Sequence, residues 1–396
     1  MGGAQQVSGT LRIFVLIGAA FFVSWQAAVV IGLGRHIQLT LALYGFIFHV
    51  LFGKAYALIP AYFDAQLVWP NATRLHLLLA PTGTLLMATG VVIADAPWIS
   101  LLGALCWGTG AIVFVGTIGW TVRDNLTGGS TGTGTANRDR RKLDRLANAF
   151  IPITLGYFLA GTYGTVALAG GLPPIVDGNP ARVTHLLAAG TAGLLVFAIG
   201  ARLLPRLFVA TPPYSLAAVT LISGALGPAI LAVWLWRPPW FLVGGILQTI
   251  AVFGYAGLIG TLLANTARRR TGQAAIAVGA FAGVLAVLIG LELAVRGWSS
   301  HLVVMHYRLL LVGFLGLTII GVLFHLYPPS IADLPGAGPR LAAGTTLLIA
   351  VGLGIEVLGL RVGVEPLSRT GSVLVLMGGV TLCYLLVGIV HARGLR

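Results

Sequence analysis

Apolar stretches of about 20 residues or more follow one another from residue 11 to residue 391, broken only by short turns of Arg, Pro, Gly and Asp. Hydrocarbon can be crossed only by backbone whose N–H and C=O groups are satisfied within the protein. Runs of this length without two-residue alternation therefore select helices over a β-barrel. With 57% hydrophobic and 9% charged residues, the chain excludes a water-soluble globular class. The 24 Lys and Arg residues against 10 Asp and Glu give a formal charge of +14, but the basic residues occupy turns between apolar runs. That placement excludes nucleic acid as a partner and points to membrane topology instead. Cys106 and Cys383 lie inside apolar segments and read as packed thiols, without a disulfide or thiolate metal site.

Counting the apolar windows predicts about twelve spans, at 11–33, 38–62, 75–95, 98–121, 147–170, 182–207, 214–236, 240–265, 274–296, 302–327, 340–361 and 370–391. The first is long enough to cross and lacks a clear cleavage site, so it reads as a helix and not as a cleaved signal peptide. The whole chain, 1–396, reads as a single integral membrane domain, with residues 122–146 as a flexible basic loop. Arg123, Arg138, Arg140, Arg141, Lys142 and Arg145, then Arg202 and Arg206, then Arg268, Arg269 and Arg270 all fall on one side of this topology. The excess predicts cytoplasmic N- and C-termini. It also gathers His36, His185, Glu292, His301, His306, Arg308 and Glu356 toward the outer ends of their helices, while His76 and His325 lie toward the cytoplasmic end, where they are candidates to face each other.

Three segments share a glycine skeleton closed by proline: LALYGFIFHVLFGKAYALIP to Pro60, HLLAAGTAGLLVFAIGARLLP to Pro205 and HYRLLLVGFLGLTIIGVLFHLYP to Pro328. They fall four spans apart, at spans two, six and ten, which predicts three repeated four-helix units around a pseudo-threefold axis. Ionisable groups in such spans are costly and mark functional candidates, most of all in the run from His301 to Pro329.

With His306, Gly313, Gly316, Gly321 and Pro328 in register, the tenth span resembles that of subunit I of the haem-copper oxidase superfamily, closest to C-type cytochrome oxidases and nitric oxide reductases. The resemblance implies an all-α polytopic fold of about twelve helices in three four-helix arcs in a prokaryotic cell membrane. It places His306 at the axial ligand of the active-site haem. The next family histidine, a ligand of the low-spin haem, is replaced by Arg308, and that haem's other ligand falls at Thr40, one turn from His36. His185 matches the sixth-helix copper ligand, whereas the seventh-helix histidine pair falls near Trp234 and Leu235. One imidazole cannot form that centre, so no copper is expected, and neither is oxidase-type reduction of dioxygen. Arg361 and Arg369 sit where the family keeps arginines over the haem propionates, and Arg308 is a further contact for a propionate or for a carboxylate such as Glu356 or Glu292.

A second and more distant resemblance is to NnrS-type membrane haem proteins, carried by the segment from Thr184 to Arg202 and by Phe48 and His49. Together the resemblances imply one haem on His306, with His185 on its distal side, serving nitric oxide or oxygen handling, sensing or electron transfer. The expected partners are membrane lipid and either a redox protein on the outer face or the subunits of a membrane complex. Two other classes fit the same residues: a cofactor-free structural subunit of a redox complex, and a transporter using Glu292, Glu356 and Lys54.

Overall fold

A computed structural model describes residues 2–93, 96–132, 135–267 and 270–394, with side chains from residue 7 onward and without those of 135–137. Arg268 and Arg269 of the predicted basic cluster lie outside the described residues. Twelve long helices follow in chain order: α1 (Gly2–Val30), α2 (Arg35–Tyr62), α3 (Ala72–Thr89), α4 (Pro97–Val122), α5 (Arg141–Gly170) and α6 (Pro180–Phe208), then α7 (Tyr214–Trp234), α8 (Trp240–Asn265), α9 (Thr271–Arg296), α10 (Ser300–Leu326), α11 (Pro339–Val362) and α12 (Glu365–Arg393). No strand occurs among the described residues. The protein is an all-helical, multi-pass membrane protein.

Eleven of the helices are long and apolar enough to cross a bilayer, one fewer than the count from sequence. The exception is α3, an 18-residue helix whose hydropathy is diluted by Arg74, His76 and its threonines. It nonetheless pairs with α4 as a tight hairpin, in which Gly83 and Gly103 face each other's backbone.

The three segments with the glycine and proline skeleton share a local conformation as well as a sequence. Each carries a π-helical stretch at the corresponding place: Thr40–Ile47 in α2, Leu186–Gly193 in α6 and Leu309–Leu317 in α10. A π stretch widens the helix by an extra residue and is common at functional sites. Here the wide turn carries a glycine that a neighbour fills. Gly45 lies under Phe21 of α1, Gly190 under Tyr157 of α5 and Gly313 under Ala282 of α9, so a side chain at any of the three would collide with the first helix of its own unit.

These three helices form the centre. Their π stretches touch one another, and 78%, 78% and 83% of their apolar windows are buried, against 39–50% for the other spans. Around them the packing repeats by fours: α1 on α2, α5 on α6 and α9 on α10, with hairpins α3–α4, α7–α8 and α11–α12 outside, and α4–α5, α8–α9 and α12–α1 closing the ring. The outer helices expose Leu78, Ile112, Phe281 and Leu347, the residue type that a lipid-facing surface requires.

Both termini lie at one end of the bundle, where Arg12 Nη1 donates to the carbonyl of Arg393 at 3.2 Å and to that of Gly394. At the same end the segment read as the basic loop contains two 3₁₀ turns, and α5 begins inside it at Arg141. Asn148 Nδ2 donates to Thr131 Oγ1 at 3.2 Å and to the carbonyl of Tyr62 at 2.9 Å, while Arg141 and Arg145 donate to the carbonyls of Gly132 and Thr131. Buried Asp144 accepts from Arg206 at 3.0 and 2.6 Å. Arg202 donates to Asn148 Oδ1 and to the Tyr62 carbonyl, which ties α2, α5 and α6 together.

Candidate functional site

The residue placed twenty positions before the closing proline is Thr40 in α2, His185 in α6 and Arg308 in α10, immediately ahead of or at the start of each π stretch. The threefold core therefore presents three different chemistries at one level, near the end opposite the termini.

His306, half a turn before Arg308, has Nδ1 2.8 Å from the carbonyl of Ala286 on α9. A carbonyl only accepts, so Nδ1 carries the proton and Nε2 of the neutral ring keeps its lone pair. The ring lies against Gly290, where a Cβ would come within 2.9 Å of Cε1, so the glycine sets how closely the imidazole approaches α9. His185 repeats the arrangement with Nδ1 2.7 Å from the carbonyl of Ala181. Both rings are half-buried. Each of the two histidines singled out from sequence thus has its tautomer fixed by a main-chain carbonyl, on helices whose π stretches touch.

Arg308 is committed elsewhere. It is fully buried, and its Nε and Nη2 each donate at 2.6 Å to the two carboxylate oxygens of Glu356 on α11. Nη2 also donates to Gln26 Oε1 of α1 at 2.8 Å, and the guanidinium carbon lies 5.0 Å from the centre of the Trp25 ring. Of the carboxylates that the sequence offered as partners, Glu356 is the one it meets. This group links the first and third units across the level where the family resemblance would put a second haem.

Arg361 and Arg369 stay on the rim. Arg361 lies 3.7 Å from Glu292, which also pairs with Arg296 at 3.0 Å, and Arg369 pairs with Glu365 at 3.0 Å one turn away. Their side chains are more than half exposed, and so is His301 exposed. Lys54 donates to the Tyr327 hydroxyl with its ammonium 3.8 Å from that ring's centre, which fixes it within the bundle.

One built feature of this end was not legible in sequence. Arg182 seals the C-terminus of α7: Nη1 donates to the carbonyls of Ala232 at 2.6 Å and Val233 at 2.8 Å, while Nε and Nη2 hold Asp177 at 2.6 and 2.7 Å. The Arg182 hydrogen bond holds the Asp177 carboxyl below its ordinary range. A folded-state value below the unfolded one contributes stability above the unfolded carboxylate value and loses it as the pH falls through the folded value. Arg182→Ala is therefore expected to lower thermal stability at neutral pH, by orphaning the last carbonyls of α7, and Arg182→Lys to restore little of it. Asp177→Asn is expected to flatten the acid side of the melting-temperature profile, measured in detergent from about pH 6 to 3. A cavity of about 470 Å³ opens below this pair, lined by Gly156, Tyr157, Ala160, Gly164 and Leu186 among others, and neither His185 nor His306 lines it.

His76 and His325 do not face each other. His325 donates from Nδ1 to the Gly321 carbonyl at 2.8 Å and stacks on Phe208, whereas His76 lies beside Tyr56, Phe52 and Phe14. Among the described residues no group of three or more His, Cys, Asp or Glu is arranged to hold a metal ion. Compared with known proteins, the chain matches no family model and no curated protein.

Proposed function

We propose that this is a prokaryotic cell-membrane protein, with both termini cytoplasmic, related in architecture to subunit I of the haem-copper oxidases. In this reading it binds a single haem through His306, with His185 on the distal side. The observation that carries the reading is the matched state of the two imidazoles, each with Nδ1–H given to a main-chain carbonyl and Nε2 left with its lone pair, which is how a protein usually prepares a histidine for a metal. The packing of three four-helix units around α2, α6 and α10 supports the architecture. Bound haem would supply an iron centre for diatomic gas or for one-electron exchange. The chain's own contribution is to fix the tautomer and reach of His306 against Gly290, and to hold His185 on the facing helix. Nitric oxide or oxygen handling, sensing or electron transfer follows from that chemistry. The Arg308–Glu356 pair is the reason to assign one haem and not two.

Protein purified from haem-sufficient cells should show a Soret band that shifts on reduction. His306→Ala should abolish it, and His185→Ala should retain the haem but change its spin state. A wild-type preparation without Soret absorbance overturns the proposal. In that outcome, stable co-purification with a membrane redox complex supports a cofactor-free subunit, and uptake into vesicles that depends on Glu292 supports a transporter.

A further inference from the structure

The cavity below Arg182 lies on the flank of the bundle between α5 and α7, with α6 behind it. Its volume of about 470 Å³ is within the about 300–1,000 Å³ usual for a ligand cavity. On α5 its lining extends from Leu168 to Ile153, about 22 Å at 1.5 Å per residue, which is the depth of one leaflet or more in a hydrocarbon core about 30 Å thick. The space exists because its walls are small: Gly156, Ala160 and Gly164 recur every fourth residue along one face of α5, and Ala229 and Ala232 line it from α7. Ile153, Leu168 and Val233 at its edge are exposed, so it opens sideways onto the surface that faces lipid.

The polar side chains that line it already have partners. Tyr157 donates its hydroxyl proton to the Ala225 carbonyl, and the five N–H groups of Arg182 are taken by Asp177 and by the carbonyls of Ala232, Val233 and Leu235. A ligand with a polar ring or an amide would be buried here without hydrogen bonds, a penalty that an alkyl chain avoids. The mouth, at the end opposite the termini, differs in character. There Asp177 is met by Arg182 at 2.6 Å and by Arg237 at 3.6 Å, one negative charge against two positive. The Arg237 side chain is 57% exposed and comes no closer to the carboxylate, so it has donors to spare for an anion. Trp234 and Trp240, both exposed and with ring centres 6.3 Å apart, flank Arg237 in the chain and mark the depth of the headgroups. An apolar slot one leaflet deep, below a mouth of net positive charge, is complementary to a lipid with an anionic headgroup.

We propose that the cavity between α5 and α7 binds one anionic phospholipid, with an acyl chain along Gly156, Ala160 and Gly164 and the negatively charged headgroup on Arg237. The bound chain buttresses the second four-helix unit. Leu186, which opens the π stretch of α6, lines the cavity, and Tyr157 forms part of its wall while filling the space left by Gly190. The site does not depend on haem at His306.

The test is native mass spectrometry of the full chain, delipidated in a mild detergent and titrated with phosphatidylglycerol or with phosphatidylcholine of the same acyl chains. The expected result is one phosphatidylglycerol retained per chain, held about fivefold more tightly than phosphatidylcholine, the factor that one basic side chain confers near a membrane surface. Its addition should also raise the melting temperature. Gly156→Phe should abolish retention of both lipids. A Cβ at Gly156 meets nothing within 4 Å, so the ring has room to enter the cavity and the variant should fold. Arg237→Gln should still retain one lipid but bind the two headgroups equally, whereas Arg296→Gln, which removes another exposed arginine at the same end, should keep the preference. The proposal is overturned if the wild type retains no more lipid than Gly156→Phe, if phosphatidylcholine binds it as tightly as phosphatidylglycerol, or if Arg296→Gln lowers the preference as much as Arg237→Gln.

Discussion

Replacing Glu356 with Ala, or Arg308 with Met, should destabilise the protein by about 3–5 kcal/mol, whereas replacing both with apolar residues should return most of that loss. The asymmetry follows from burial. Arg308 has no exposed surface and spends two donors on the two oxygens of Glu356, so removing either partner leaves a full charge in the interior of a membrane protein with no water to take its place. Removing both leaves a cavity and the polar groups of Gln26 and Trp25, a smaller penalty. Arg308→Lys should resemble Arg308→Met more than the wild type, because an ammonium cannot match both carboxylate oxygens in one plane while also reaching Gln26. Thermal unfolding of the four proteins in detergent gives the double-mutant cycle. Single variants that melt with the wild type, or a double variant as unstable as the sum of the singles, would show that the pair is not the tie between the first and third units that its geometry indicates.

The consequence extends to function. On the proposed reading, the place of a low-spin haem ligand is taken by Arg308, the residue that links α1, α10 and α11 through Glu356 and Gln26. The double apolar variant should therefore still bind haem at His306 if the proposed single-haem reading is right, since His306 is held through Ala286 and Gly290 of α9 and not through Arg308.

How much of this was legible in the sequence depended on which physical signal each feature leaves. Helix number and membrane class were legible because hydropathy is a property of composition; α3 is the one of the twelve whose apolar run is diluted, by Arg74 and His76 among others. The threefold repeat was legible because the glycines under Phe21, Tyr157 and Ala282 leave the space that those side chains fill. The rotation of each helix was not. In a soluble helix the polar face marks the outside, but here the lipid-facing and core-facing sides are both apolar, and nothing in the pattern says which way His49 or His76 points. For the same reason the π stretches were invisible, since their sequences differ little in character from the helices that flank them. Arg308 and Glu356 were recognisable as partners because a buried guanidinium has few acceptable environments. Arg182 was not, because its main acceptors are backbone carbonyls, which have no sequence signature.

Gly371→Ala is expected to prevent recovery of folded protein, or to cost at least the upper part of the 1–3 kcal/mol range typical of overpacking, while Gly354→Ala on the facing helix is expected to be neutral or slightly stabilising. The difference lies entirely in what each glycine faces. A Cβ at Gly371 of α12 would stand 2.2 Å from the backbone nitrogen of Glu356 and 2.5 Å from the carbonyl of Gly352, and the contact is reciprocal, since a Cβ at Gly352 would stand 2.8 Å from the carbonyl of Gly371. Backbone atoms cannot rotate aside as a side chain can, so α11 and α12 would have to separate along their length. The displaced segment carries Glu356, so the same methyl group should also loosen the carboxylate from Arg308 and pass the disturbance to α1 and α10. Gly354 has open space where its Cβ would go, and Ala there gains helix propensity at no steric cost. Comparison of the two variants by monodisperse yield and melting temperature in detergent isolates close helix approach from any general intolerance of α11 and α12 to substitution. Equal behaviour of the two would refute the packing described for this hairpin. If Gly371→Ala is combined with apolar replacements at Arg308 and Glu356, the penalty should fall below the sum of the separate effects, because part of the cost of the methyl group is the strain it places on that ion pair.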